Sequence, residues 1–127
     1  MKRLTREWVR KAEADFLAAG RLARGSVPLH DAVCFHCQPA AEKYLKALLV
    51  ELGVAVPRTH NLVALLPMLT PHYPSLRRFR RGLDFLTRFA VETRYPGQMA
   101  TKRHARSASR WADEVRLACR ALLGLGP

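Results

Sequence analysis

Several signatures of common enzyme classes are missing from this chain. It has no glycine-rich phosphate loop, no pair of histidines one helical turn apart with a glutamate between them, and no nucleophile elbow, so P-loop NTPase, zincin and α/β-hydrolase chemistries are excluded. Cysteine is scarce and odd in number, with only Cys34, Cys37 and Cys119. A disulfide framework is therefore not expected, and Cys34-Phe35-His36-Cys37 has no second pair to complete a zinc site. The three thiols read as small buried hydrophobes on helices, and neither a metal nor a cofactor is expected. No apolar run approaches the length of about twenty residues that crosses a bilayer. Met1-Lys2-Arg3-Leu4 leads into a charged amphipathic pattern rather than an apolar signal core, so no membrane association and a cytoplasmic location are expected. Acidic residues are also few, 10 against 22 Lys and Arg, and they form no evident carboxylate dyad.

What remains is a basic, soluble-type composition. The 127 residues are 49% hydrophobic and 25% charged, which suits a single domain, residues 1-127, with one core. The formal charge of +12 is uneven. Residues 1–52 carry nine bases against six acids, whereas residues 53–127 carry thirteen against four. The second half thus attracts phosphate-bearing or acidic partners by steering and counterion release. Arg77-Arg78-Phe79-Arg80-Arg81 and the group Lys102, Arg103, Arg106 and Arg110 concentrate this field. Each reads either as a nucleic-acid surface or as a solvated helix face.

Apolar periodicity is helical nearly throughout. Trp8, Ala12, Phe16, Ala19 and Leu22 mark a first helix over Thr5–Arg24, with Arg6, Arg10 and Glu13 on its other side. Gly25-Ser26-Val27-Pro28 stops it. A second helix is expected from Pro28 or Leu29 to Leu52, ended by Gly53. Pro39 predicts a kink within it, or a later start at Pro39. Thr59 is expected to cap a short helix over His60–Leu69. A fourth helix spans Ser75–Thr93, with Phe85 and Phe89 forming a second apolar line, and a fifth spans Thr101–Leu123. The expected fold is all-α: an up-and-down four-helix bundle with an additional short helix. The aromatic line or the leucines of the second helix offer a homodimer face.

Three segments carry candidate chemistry. In Gln38-Pro39-Ala40-Ala41-Glu42-Lys43-Tyr44-Leu45-Lys46, residues Gln38, Glu42 and Lys46 share a face, so Glu42 can pair with Lys46. Thr59-His60-Asn61-Leu62 sets His60 at a helix start, where backbone donors and the helix dipole favour an anion. Thr93-Arg94-Tyr95-Pro96-Gly97 places a cation and a ring at a helix exit. Arg94 can clamp phosphate through paired donors, and Tyr95 can stack or hydrogen bond.

These three segments together resemble the HEPN family, small helical domains associated with nucleotides, nucleotidyltransferases and RNA cleavage, with Asn61 standing where an acid is often found. The resemblance implies a nucleotide-binding or regulatory module, dimeric and partnered by a separately encoded nucleotidyltransferase. Its site would comprise Gln38, Lys43, His60, Arg94 and Tyr95, with Lys43 neutralising ligand charge. The alternatives are an RNA-cleaving toxin of a toxin–antitoxin pair and a basic nucleic-acid-binding protein. Family ribonucleases carry an arginine followed after four to six residues by histidine near the last helix. Here nine residues separate Arg94 from His104, so the expected cleavage motif is absent. Arg24 and His30 have the spacing but flank a turn at the wrong end of the chain.

Overall fold

The computed structural model describes residues 1–127. It is entirely helical, with α1 (Arg3–Arg24), α2 (His30–Glu51), α3 (Leu66–Leu69), α4 (Arg80–Glu92) and α5 (Lys102–Leu122), and with 3-10 turns over Leu62–Leu65 and Pro74–Phe79. The four long helices form the expected bundle, and the short helical segments fill the crossover between α2 and α4.

Helix α2 is the centre of the fold because it is apolar around nearly its whole circumference. Fourteen of its residues are buried, including Tyr44, Leu45, Leu48 and Leu49, all at 0% exposure. It packs against α1, α4 and α5, and its leucines are consumed inside the chain rather than left for a partner. The helix runs without interruption through Pro39, which removes the later start considered from sequence. Proline withholds the donor that would otherwise bond the Phe35 carbonyl, and both residues border the cavity described below.

The other helices each bury one stripe. Helix α1 buries Thr5, Val9, Ala12 and Ala19, while Trp8 and Leu22 pack at the edge of the core. Its first turn is completed from outside, since the Glu51 carboxylate at the end of α2 accepts from Lys2 N and Thr5 Oγ1, both at 2.9 Å. These bonds hold the Glu51 carboxyl below its ordinary range. Helix α5 presents Ala105, Ala108, Ala112, Val115 and Cys119 to the core, a row of small side chains that lets α2 approach closely. Helix α4 lies across α5 so that Gly82 meets the Trp111 ring. Phe85 and Phe89 stack with each other at 4.6 Å, and Phe89 stacks on His104 of α5 at 4.3 Å. The second apolar line of α4 is thus satisfied within the chain.

Helix ends follow the local sequence. Leu52, Gly53 and Val54 close α2, with Gly53 N bonding Val50 O and Val54 N bonding Leu49 O. Gly124 and Leu125 close α5 the same way. Both glycines have a φ of 74°, the left-handed geometry this termination requires. Thr101 caps α5 through His104 N, and the His104 ring accepts from Thr101 N at 3.1 Å. The fourth helix starts later than its apolar spacing predicts, because Pro74 begins a 3-10 turn that becomes α-helical only at Arg80.

One charge lies on a different side than the sequence pattern implies. Glu13 faces inward and ties three helices together, accepting from Tyr44 Oη on α2 and, on α5, from Arg116 Nε at 2.7 Å and Arg120 Nη1 at 3.2 Å. Burial would raise the Glu13 carboxyl, but hydrogen bonds from Arg116 and Tyr44 and the two guanidinium charges hold it below its ordinary value. Burial and Glu13 together push Tyr44 up to about 12. The three cysteines are free and buried. Desolvation drives the thiols upward, Cys34 to about 11 and Cys37 to about 12, and Cys119 higher still.

Candidate functional site

A cavity of about 250 Å³ opens where the middle of α2, the loop before Leu62 and the end of α4 converge. Gln38, Lys43, His60 and Arg94 all line it, with Phe35, Pro39, Glu42, Thr87, Ala90 and Val91 completing the wall. Residues from three separate stretches of the sequence therefore share one hollow, because α2 supplies one wall and α4 the other.

Two anchors place the His60 loop. Leu62 inserts into the core at 0% exposure, and its amide donates to Thr87 Oγ1 of α4 at 3.1 Å. Gln38 Nε2 of α2 donates to the His60 carbonyl at 2.8 Å. The expected cap shifts by two residues: Asn61 accepts from Val63 N and starts the 3-10 turn, while Thr59 Oγ1 accepts from Asn61 N. His60 thus precedes the helical segment, and the helix-start anion site expected from sequence is not formed. Its side chain is instead oriented by a carboxylate.

That carboxylate is Glu42, 5% exposed and bonded on both oxygens. Lys46 Nζ donates to Oε2 at 2.9 Å, and Gln38 Nε2 and His60 Nδ1 meet Oε1 at 3.1 and 2.9 Å. Burial raises the Glu42 carboxyl, but hydrogen bonds from Lys46, His60 and Gln38 and the Lys46 charge outweigh it, and the group lies below its ordinary value. Glu42 is consequently an acceptor only, so Nδ1 of His60 carries the proton and Nε2 is left for a ligand. The same logic fixes Gln38. Its amide nitrogen faces two acceptors, which leaves Oε1 without a protein partner.

The cations of the site differ. Lys43 is engaged by Asp15 of α1 at 2.5 Å, and His36 also faces that carboxylate at 3.4 Å. Arg94 has no carboxylate partner. Its guanidinium lies over the Phe35 ring, 5.0 Å from the centroid, rather than turning back to the final carbonyls of α4. Tyr95 does not line the cavity and is 63% exposed. It occupies the first position of a turn in which Gln98 N bonds Tyr95 O at 3.3 Å and Gly97 has a φ of 89°, the type II geometry that Pro-Gly favours. His104, capping α5 and stacked on Phe89, is also outside the cavity.

The sequence matches a known domain over nearly its whole length. The model of the HEPN domain matches residues 5–122. The chain belongs to the HEPN family. Membership places it among nucleotide-binding or ribonuclease-like modules in general. Its fold is similar to that in the crystal structure of TT1696 from Thermus thermophilus, with 25% identity, a TM-score of 0.78 and coverage of 92% of this chain and 96% of that one. No curated protein matches. No helix of this HEPN chain is long and apolar enough to cross a membrane. Sequence motifs point to five of the cavity's polar residues, Gln38, Glu42, Lys43, His60 and Arg94, but give no signal for the Asp15 and Phe35 contacts. Asp15 lies on a helix that carries no motif, and Phe35 sits inside the Cys34–Cys37 spacing.

Proposed function

We propose that this protein is a nucleotide-binding regulatory HEPN module in which Arg94 holds the ligand's phosphate. The observation that carries this reading is the unpaired Arg94 guanidinium at the edge of the cavity that also contains Gln38, Lys43 and His60. Every other charge there is answered from within the chain, so an anion gains most from Arg94, with the Phe35 ring holding the guanidinium in place. Gln38 Oε1 offers an acceptor and His60 Nε2 a second polar contact. Tyr95, Met99 and Val91 leave exposed apolar surface nearby, with exposures of 63%, 81% and 50%. A second copy of the chain would cover this rim, and a separately encoded nucleotidyltransferase is the partner the reading implies.

Calorimetry with a panel of nucleoside mono-, di- and triphosphates tests the assignment. Arg94→Ala should weaken binding by about 10–100-fold, the loss of one charge-assisted contact, without lowering the melting temperature. No binding by the intact protein, or binding indifferent to Arg94→Ala, would remove it.

The Glu42–His60 pair favours a second reading, metal-independent RNA cleavage. A carboxylate that fixes one imidazole nitrogen and leaves the other for a proton transfer is a general-base arrangement, and Arg94 is available for the phosphodiester. RNA left intact by high concentrations of purified protein would eliminate this alternative.

A further inference from the structure

A second hollow shares no lining residue with the cavity around Arg94. It measures about 520 Å³ and is framed by the turn between α1 and α2 and by the first two turns of α5. Leu22, Val27, Leu29, Val33 and Ala105 give it an aliphatic lining, and no aromatic ring is present apart from the His30 imidazole. Val27 and Leu29 remain 63% and 45% exposed, so branched apolar side chains stand in water around the opening. Leaving such surface wet is unfavourable unless something covers it.

Lys102 and Arg106 border the same hollow, one helical turn apart on α5. Neither has a carboxylate partner, since the ion pairs of α5 are those of Arg116 and Arg120 with Glu13 and of Arg116 with Asp113. Beyond them, Arg103 and Arg110 extend the positive charge into an adjoining polar trough. Asp31, which follows His30 in the chain, is committed to Ala100 N at 2.6 Å. Ser26, His30 and Ser109 add polar groups to the lining. The hollow therefore combines an aliphatic interior with a rim of unanswered cations.

We propose that this hollow binds an amphiphilic anion, with an aliphatic chain against Val27, Leu29 and Val33 and a carboxylate or phosphate head on Lys102 and Arg106. A flat nucleobase finds no Phe, Tyr or Trp ring to stack on here, whereas an alkyl chain releases water from the whole lining. Arg106 presents a fork suited to either head group, and Lys102 a point charge. The site is independent of the nucleotide reading and can stand or fall alone.

The 127-residue chain can be titrated with decanoate, decyl phosphate, decanol and acetate while amide spectra are recorded. Decanoate or decyl phosphate should bind at least about tenfold more tightly than decanol, with acetate inert, since both the chain and one charged contact are required. Their relative affinities distinguish a carboxylate from a phosphate ligand. Shifts should cluster in residues 22–33 and 102–109. Lys102→Gln/Arg106→Gln should weaken binding by at least about tenfold, and Val27→Asp should do so from the opposite wall. All three substitutions are at exposed positions, which preserves the fold. Arg94→Ala should leave this affinity unchanged. Equal binding of decanol and decanoate, absence of binding, or a head-group response that ignores Lys102 and Arg106 would overturn the proposal. So would displacement by an oligonucleotide with no dependence on chain length, which would identify the rim as a polyanion surface instead.

Discussion

Glu42→Ala should destabilise the protein by about 3–5 kcal/mol, the cost of stranding a buried charge. Lys46 is the stranded group, 5% exposed and bonded to no other carboxylate. Chemical denaturation measures the loss directly, and the double variant Glu42→Leu/Lys46→Met separates charge from packing. It should recover most of the stability, because apolar residues of similar volume commonly replace a buried pair without penalty. It should not recover ligand binding, since His60 loses the partner that orients it. Loss of stability in the double variant equal to that in Glu42→Ala would show that the pair is not the source.

The same carboxylate makes stability depend on pH. Glu42 has a folded value below its ordinary 4.5, so the unfolded chain takes up its proton first as pH falls. The contribution of the network is therefore complete above about pH 4.5 and is lost as pH falls through the lowered folded value. Glu13 shifts in the same direction, so both polar clusters weaken together in acid. A denaturation series from pH 7 downward should show stability falling below that point, and Glu42→Leu/Lys46→Met should flatten the decline.

Gly82→Ala is expected to destabilise by about 1–3 kcal/mol through overpacking, although alanine normally improves a helix interior by about 1 kcal/mol over glycine. A methyl group at this position would overlap Cδ2 and Cε3 of Trp111, atoms at the fused edge of the indole that have no flexible end to swing aside. Gly20→Ala on α1 provides the contrast. There the added carbon meets only the end of the Arg24 side chain, 3.1 Å away, and the substitution should be neutral or stabilising. Melting temperatures of the two variants should therefore move apart. If both rise, the α4–α5 contact is looser than the Trp111 packing implies.

Long amphipathic segments were readable because their burial is periodic, and the bundle follows from α1, α2, α4 and α5 alone. Local chemistry was harder to place where two elements compete for one residue. Glu13 looks solvent-facing by its spacing on α1, yet Arg116 and Arg120, more than a hundred positions away, draw it inward. His60 reads as the start of a helix until the Asn61 side chain is seen to cap Leu62–Leu65. Arg94 is legible as a candidate anion contact from its place after α4, but nothing in the sequence indicates that the Phe35 ring lies under its guanidinium. Tyr95 belongs to the same motif, and the Pro96-Gly97 turn that makes the motif recognisable also carries its ring away from the hollow. The overlap of Gln38, Lys43, His60 and Arg94 is a consequence of helix packing that their spacing along the chain does not encode.

The burial of Cys34, Cys37 and Cys119 has a practical consequence. Thiolate is the reactive form, and desolvation suppresses it at all three positions. The folded molecule therefore presents no fast-reacting sulfur, although α2 and α5 carry these groups through the middle of the core. Alkylation at neutral pH should therefore be slow and should report opening of the core around these cysteines, so the chain contains its own clock for core opening.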